Sequence, residues 1–232
     1  TGFVTVPTDA EIVVAGPDAG DNETLDDGEG LATFTPGFEA GSQNTAVVNG
    51  VANPDDFDTS VNSEIGLSLD TSDGSLETAS DGQVAIQIHH GATDVGTAEV
   101  STPVVEDVAA TADYGQFSDY LTLDQWNGLT YNIALDSAPA QFVQTMQSSL
   151  PAGTAVTVIA SGFADPAENQ DGEALDIIAC PGTTSGGNDT VQCAPLTDAA
   201  RAQIIHAAPS DAASSVGVCL TGNNQLDLDY LQ

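Results

Sequence analysis

The sequence predicts an all-β chain: a tandem pair of β-sandwiches, one whole and the other divided between the two ends. Three observations carry that prediction. Short apolar or alternating runs recur between clusters of Gly, Pro, Asn and Asp, at the spacing of a sandwich. Two parts of the chain repeat one another at separations of 112 to 117 residues. The repeated pieces come in rotated order, so that the second copy starts near the C-terminus and finishes near the N-terminus.

The expected strands follow from the pattern in chain order. Glu11–Val14 ends at an Ala-Gly-Pro turn signal, and Thr45–Val48 is a β-branched run closed by Asn49-Gly50. Ile65–Leu69 alternates apolar positions and stops at Asp70, and Val84–Ile88 is a compact apolar run after Asp81-Gly82. Tyr131–Leu135, Val156–Ile159 and Leu175–Ala179 have the same character, and Gln203–His206 precedes Pro209. One helix is expected at Pro139–Leu150, a stretch whose interior has no turn former. Its counterpart Asn22–Phe34 is rich in Asp and Gly and reads as a loop.

The repeat sets the domain boundaries. Residues 40–54, from Ala40-Gly41 to Pro54, match residues 152–166 without a gap, an offset of 112. Val84–His89 aligns with Arg201–His206 at an offset of 117, which also carries Asp94 onto Asp211. At the same offset, Phe3–Val6 aligns with Tyr120–Leu123. A complete sandwich is thus expected over 83–197. The first part of a second is expected over 198–232 and its remainder over 1–82. Joining Gln232 to Thr1 restores the spacing to within about one residue, the mark of a circular permutation or of completion by a neighbouring copy. Both units are expected to be Ig-like.

Composition removes whole classes of function. The chain has 35 Asp+Glu against a single Arg, a formal net charge of −34. Binding to a phosphate backbone needs clustered Lys and Arg, and an anionic membrane repels the same surface. At 41% hydrophobic, the chain is too apolar to be disordered by its charge. Such a surface repels itself unless salt or divalent cations screen it, which fits a saline extracellular setting. The start at Thr1, with no signal peptide pattern, reads as a processed or excised piece.

Cysteine usage agrees. Cys180 and Cys193 flank a turn-rich stretch, and a disulfide between them would close a short loop in an oxidising compartment. Cys219 is left over, either a free thiol on a strand or an intermolecular bridge. No Cys/His metal spacing is present.

Residues 203–212, Gln-Ile-Ile-His-Ala-Ala-Pro-Ser-Asp-Ala, resemble the opening strand and turn of prokaryotic surface domains of domain-of-unknown-function family 4397. Tyr120–Leu123 and Leu150–Gly153 resemble later strands of that family, while His89–Asp94 departs from the opening motif by lacking its Pro. The resemblance implies a secreted or cell-surface β-sandwich, usually in tandem, and brings no catalytic residues.

Candidate sites are few. His89 and His206 hold equivalent places at strand ends, where the ring is expected to tie down the following turn; His90 faces the other side. The acidic loops with Asp18, Asp21, Asp26 and Asp27, and with Asp55, Asp56 and Asp58, bring hard oxygen ligands together. They are weak calcium candidates without EF-hand spacing, and a solvated acidic surface is the preferred account of them. Asn22 and Asn188 begin glycosylation sequons in loops. Trp126, Tyr131 and the scattered Phe residues read as packing rather than a ligand platform. No nucleophile motif accompanies the histidines, so no enzyme activity, catalytic residue or cofactor other than calcium is expected.

The function expected is that of a structural subunit or repeat of an extracellular filament, with copies of itself as partners, head to tail. The alternative is a monomeric surface adhesin or a glycan- or calcium-binding module. A secreted hydrolase would need two facing carboxylates in a pocket.

Overall fold

The structure is a computed structural model. It describes residues 3, 5–15, 30–102, 105–124, 129–135, 142–148, 152–182, 193–195, 215–220 and 224–229. The described residues form strands and two short 3₁₀ turns, an all-β chain. It divides into two units, Thr1–Ala199 and Ala200–Gln232.

Nine strands lie between residues 83 and 195: β5 Gln83–His90, β6 Ala98–Thr102, β7 Val105–Ala112, β8 Leu121–Asp124, β9 Leu129–Leu135, β10 Phe142–Ser148, β11 Ala155–Ser161, β12 Asp176–Pro181 and β13 Ala194–Pro195. They make a five-stranded sheet in the order β13-β12-β11-β5-β8 and a four-stranded sheet in the order β10-β9-β6-β7. All pairs are antiparallel except β11 with β5, which run parallel from Ala155↔Ala85 to Ala160↔His90. Between the sheets lies one core. Ile86 and Ile88 of β5, Val156, Val158 and Ala160 of β11 and Ile177 of β12 meet Ala98 of β6 and Ala112 of β7 there. β5 is buried along both faces from Val84 to His90, which explains its nearly continuous apolar sequence.

Four strands precede this pair of sheets: β1 Ile12–Ala15, β2 Gly30–Phe34, β3 Asn44–Asn49 and β4 Ser68–Asp73. They form two antiparallel two-stranded sheets, β1-β2 and β3-β4. β4 lies across the far face of β5, where Gln87 Nε2 donates to Ser72 Oγ at 2.7 Å and Thr78 bridges to Thr154. In the second unit, β14 Ser215–Leu220 pairs antiparallel with β15 Asn224–Asp229.

The helix expected over Pro139–Leu150 is instead a strand. β10 pairs residue for residue with β9, from Phe142↔Leu135 to Ser148↔Leu129. Lack of turn formers suits a strand as well as a helix, and Phe142, Val143 and Thr145 are strand formers. The matching stretch expected to be a loop ends in β2, paired with β1. Ile65–Leu69 is displaced: the strand begins at Ser68, while Ile65 is fully buried and its carbonyl accepts the Val51 amide at 2.8 Å. β6 and β7 carry alternations too weak to be read as strands. The strand expected at Gln203–His206 lies outside the described residues.

Several positions 112 apart share local backbone geometry. The 3₁₀ turns occupy Pro54–Asp56 and Pro166–Glu168, 112 residues apart. Gly50 and Gly162, also 112 apart, both have positive φ, +88° and +94°. Each lets the next residue bridge to a strand entrance, Val51 to Gly66 and Phe163 to Ala174. A second coincidence relates the β14–β15 hairpin to β6–β7. The β6–β7 pairing Ala98↔Ala112, moved 117 residues along the chain, becomes the β14–β15 pairing Ser215↔Asp229.

Candidate functional site

The layers are joined by a buried polar cluster. His89, on the outer face of β5, is fully buried, and its Nε2 contacts Asp70 Oδ2 of β4 at 2.9 Å. Phe117 tilts against the imidazole with ring centroids 4.6 Å apart. Burial alone would raise the Asp70 carboxyl; hydrogen bonds from His89 and Ser68, the charge interaction with His89 and the side chain of Asn49 outweigh it, and the group sits below its ordinary 3.8. The Tyr114 phenol is pushed up to about 12, by burial first and then by the Asp70 charge. The Ser68 hydroxyl is directed at Asp70 Oδ1, 2.9 Å away. The arrangement fastens β4 to β5 through an ionic hydrogen bond shielded from water.

His90 points the other way and does what was expected of His89. Its Nδ1 accepts the Ala92 amide at 3.3 Å and its Nε2 donates to the Gly96 carbonyl, holding the turn that follows β5. That bonding fixes the neutral tautomer with its proton on Nε2, and protonating Nδ1 would expel the Ala92 amide. Burial accordingly holds the ring below its ordinary 6.5. A base with a depressed folded pKa stabilises above its unfolded pKa, and that stability is lost as pH falls through the folded one. Urea unfolding at about pH 7.5 and about pH 5.5 should show the chain weaker at the lower pH, and His90→Gln should flatten the difference.

A third cluster surrounds the carboxylate of Asp94, within the turn that His90 holds. Oδ1 accepts the Ala164 amide at 2.9 Å. Oδ2 accepts the Asp165 amide at 2.8 Å and Asn169 Nδ2 at 3.2 Å. Asn169, also fully buried, accepts the Asp58 amide on Oδ1 at 3.1 Å. Two turns and a segment of the N-terminal part thus converge on one carboxylate and one carboxamide.

The most conspicuous feature is an unfilled edge. β11 has two neighbours, β12 and β5, whereas its repeat counterpart β3 pairs only with β4 among the described residues. Ala46 and Val48 of β3 correspond to Val158 and Ala160 of β11, each 1% exposed, yet Ala46 is exposed and Val48 is 45% exposed. Among the residues whose side chains are described, the exposed large apolar ones are Val6, Val13, Leu31, Val48 and Val61. Alongside β3 opens a cavity of about 520 Å³, walled by residues 44–48, by Phe3 and Val6, and by Thr157 and Ile159 of β11. Voids in a folded interior are seldom larger than a water molecule, roughly 30 Å³ of liquid, so this cavity has room for a chain segment.

The residues singled out from sequence are scattered. Asp55 and Asp56 lie exposed on the first 3₁₀ turn, and Asp58 accepts both the amide and the hydroxyl of its own neighbour Ser60 at 2.9 Å. No group of three metal-ligating side chains occurs among the described residues. Asp18, Asp21, Asp26, Asp27, Asn22, Asn188, Trp126, His206 and Asp211 lie outside them, and Cys219 falls within β14. Cys180 and Cys193 are joined by a disulfide that spans 13 positions and pins the short edge strand β13 to β12. Reducing it should lower the unfolding free energy by about 3 kcal/mol in the chain-entropy picture, read as a lower melting temperature in reductant.

Sequence reasoning missed Asp70 and Asn169. Asn169 has no repeat signal, because Phe57 stands at the matching place. Asp94 was signalled by its match with Asp211. No family model matches the chain, and no curated protein or solved structure does either.

Proposed function

We propose that the chain is a structural subunit or repeat of an extracellular filament, assembled head to tail by completion of an Ig-like β-sandwich. The supporting observation is the shared register of β14–β15 with β6–β7, together with the matching turns of β3–β4 and β11–β12. On this reading residues 198–232 supply the first strands of a sandwich and residues 1–82 supply the rest. A tandem pair is thereby permuted around one whole sandwich at 83–197. An unfinished sheet exposes N–H and C=O groups that recruit a partner strand, and a contact between two different faces propagates without closing. Neighbours joined by peptide bonds in a longer array would have the same contacts.

The disulfide suits an oxidising extracellular setting, and the likeness to prokaryotic surface domains points the same way. The buried clusters serve as fastenings on this reading, not as catalysts. With a net charge of −34, assembly should require salt or divalent cations. Electron microscopy of purified chain in high salt is the test. Fibres with a regular axial repeat, lost on dilution into low salt, are expected. Compact particles of one chain mass would overturn the reading and leave a closed surface-binding module.

A further inference from the structure

We infer that the cavity beside β3 is a strand-binding groove, and that its occupant is the segment Arg201–His206 of a second copy of this chain, seated parallel to β3 with Ile205 opposite Ala46. The inference rests on the filament reading and specifies where and in what register copies join.

The groove has the walls of a missing strand. In the whole sandwich, β5 lies between β11 and β8. The counterpart of β11 is β3, and the counterpart of β8 is the segment around Val4–Pro7. Both β3 and the residues Phe3 and Val6 line the cavity, together with Thr157 and Ile159 of β11 and Cys180 of β12. What is missing between them is the counterpart of β5, and the sequence that repeats β5 is residues 201–206, from Arg201 to His206.

The whole sandwich also dictates the register. Val158 pairs with Ile88 and Thr157 with Gln87. Translating β11 by 112 and β5 by 117 puts Ala46 opposite Ile205 and Thr45 opposite Ile204. Ile205 then takes the core-facing place of Ile88, over the face that leaves Val48 exposed. One observation favours a second copy as the source. The segment carries Arg201, the one Lys or Arg in a chain of net charge −34, and residues 199–210 contain no Asp or Glu. A cation on the incoming segment steers it toward a strongly anionic partner.

The test uses full-length chains in a Cys219→Ser background. Ala46→Cys and Ile205→Cys are purified separately, mixed, unfolded and refolded together in high salt, and oxidised mildly. Covalent dimers joining positions 46 and 205, identified by mass spectrometry, are expected. Val47→Cys mixed with Ile205→Cys should give none above background, because adjacent strand positions face opposite sides. The same samples are examined for fibres. Fibres without a 46–205 link would overturn the groove assignment while leaving the filament reading standing. A doubly substituted Ala46→Cys, Ile205→Cys chain that links only within itself, with no fibres, would overturn the second copy as occupant and the filament with it.

Discussion

Replacing Asp94 by Ala is expected to lower the unfolding free energy of the chain by about 2 kcal/mol, the size of losing hydrogen bonds to a charged acceptor with one donor, Asn169, left buried. The carboxylate is 8% exposed and accepts the Ala164 and Asp165 amides and Asn169 Nδ2. Of these donors Asn169 is fully buried, while Ala164 and Asp165 stand at the exposed entrance to the 3₁₀ turn that starts at Pro166. Asp94→Asn should do little better, since one oxygen is exchanged for an N–H group facing an N–H group. Urea unfolding followed by circular dichroism reads the loss; a variant within about 0.5 kcal/mol of the parent, the range of neutral surface changes, would show that the cluster contributes nothing.

The second large effect is expected at Gly162. Its φ is +94°, and a Cβ there would lie 2.5 Å from the Ala174 carbonyl oxygen and 2.9 Å from that of Glu173. Gly162→Ala therefore combines left-handed backbone strain with a clash against main chain, and a loss of about 3 kcal/mol is expected. Gly153, with φ +84° and nothing within 4 Å of its Cβ position, separates the two contributions. Gly153→Ala should cost about 1 kcal/mol, the strain alone. Gly50, φ +88°, meets the Ile65 carbonyl at 2.6 Å in the same geometry as Gly162. If the three substitutions proved equally costly, the clash would have no weight.

How much of this was legible beforehand depended on the kind of signal. Runs such as Thr45–Val48 and Val156–Ile159 fell inside observed strands, because β-branched residues between a Gly and an Asn or Ser leave little choice. The gapless match of residues 40–54 with 152–166 reflects backbone constraint: a glycine with positive φ and a 3₁₀ turn starting at Pro recur in both. Pro139–Leu150 misled because a strand pairing along its whole length needs no period distinct from a helix with mixed polar and apolar positions. The site was harder to read. Asp70 reaches His89 across 19 positions, and Asn169 reaches Asp94 across 75. Neither contact leaves any trace in local spacing, and the acidic residues that do cluster in sequence, Asp55 and Asp56, stand exposed on a turn.

Asn169 has one more consequence. Loops are ordinarily the parts of a protein that open first, yet through this side chain the amides of Asp58, Ala164 and Asp165 share one set of partners. An opening that withdraws Asp94 or Asn169 frees them together. In hydrogen exchange these three should therefore behave as a single slow block, protected like strand interior, although not one of them belongs to a strand.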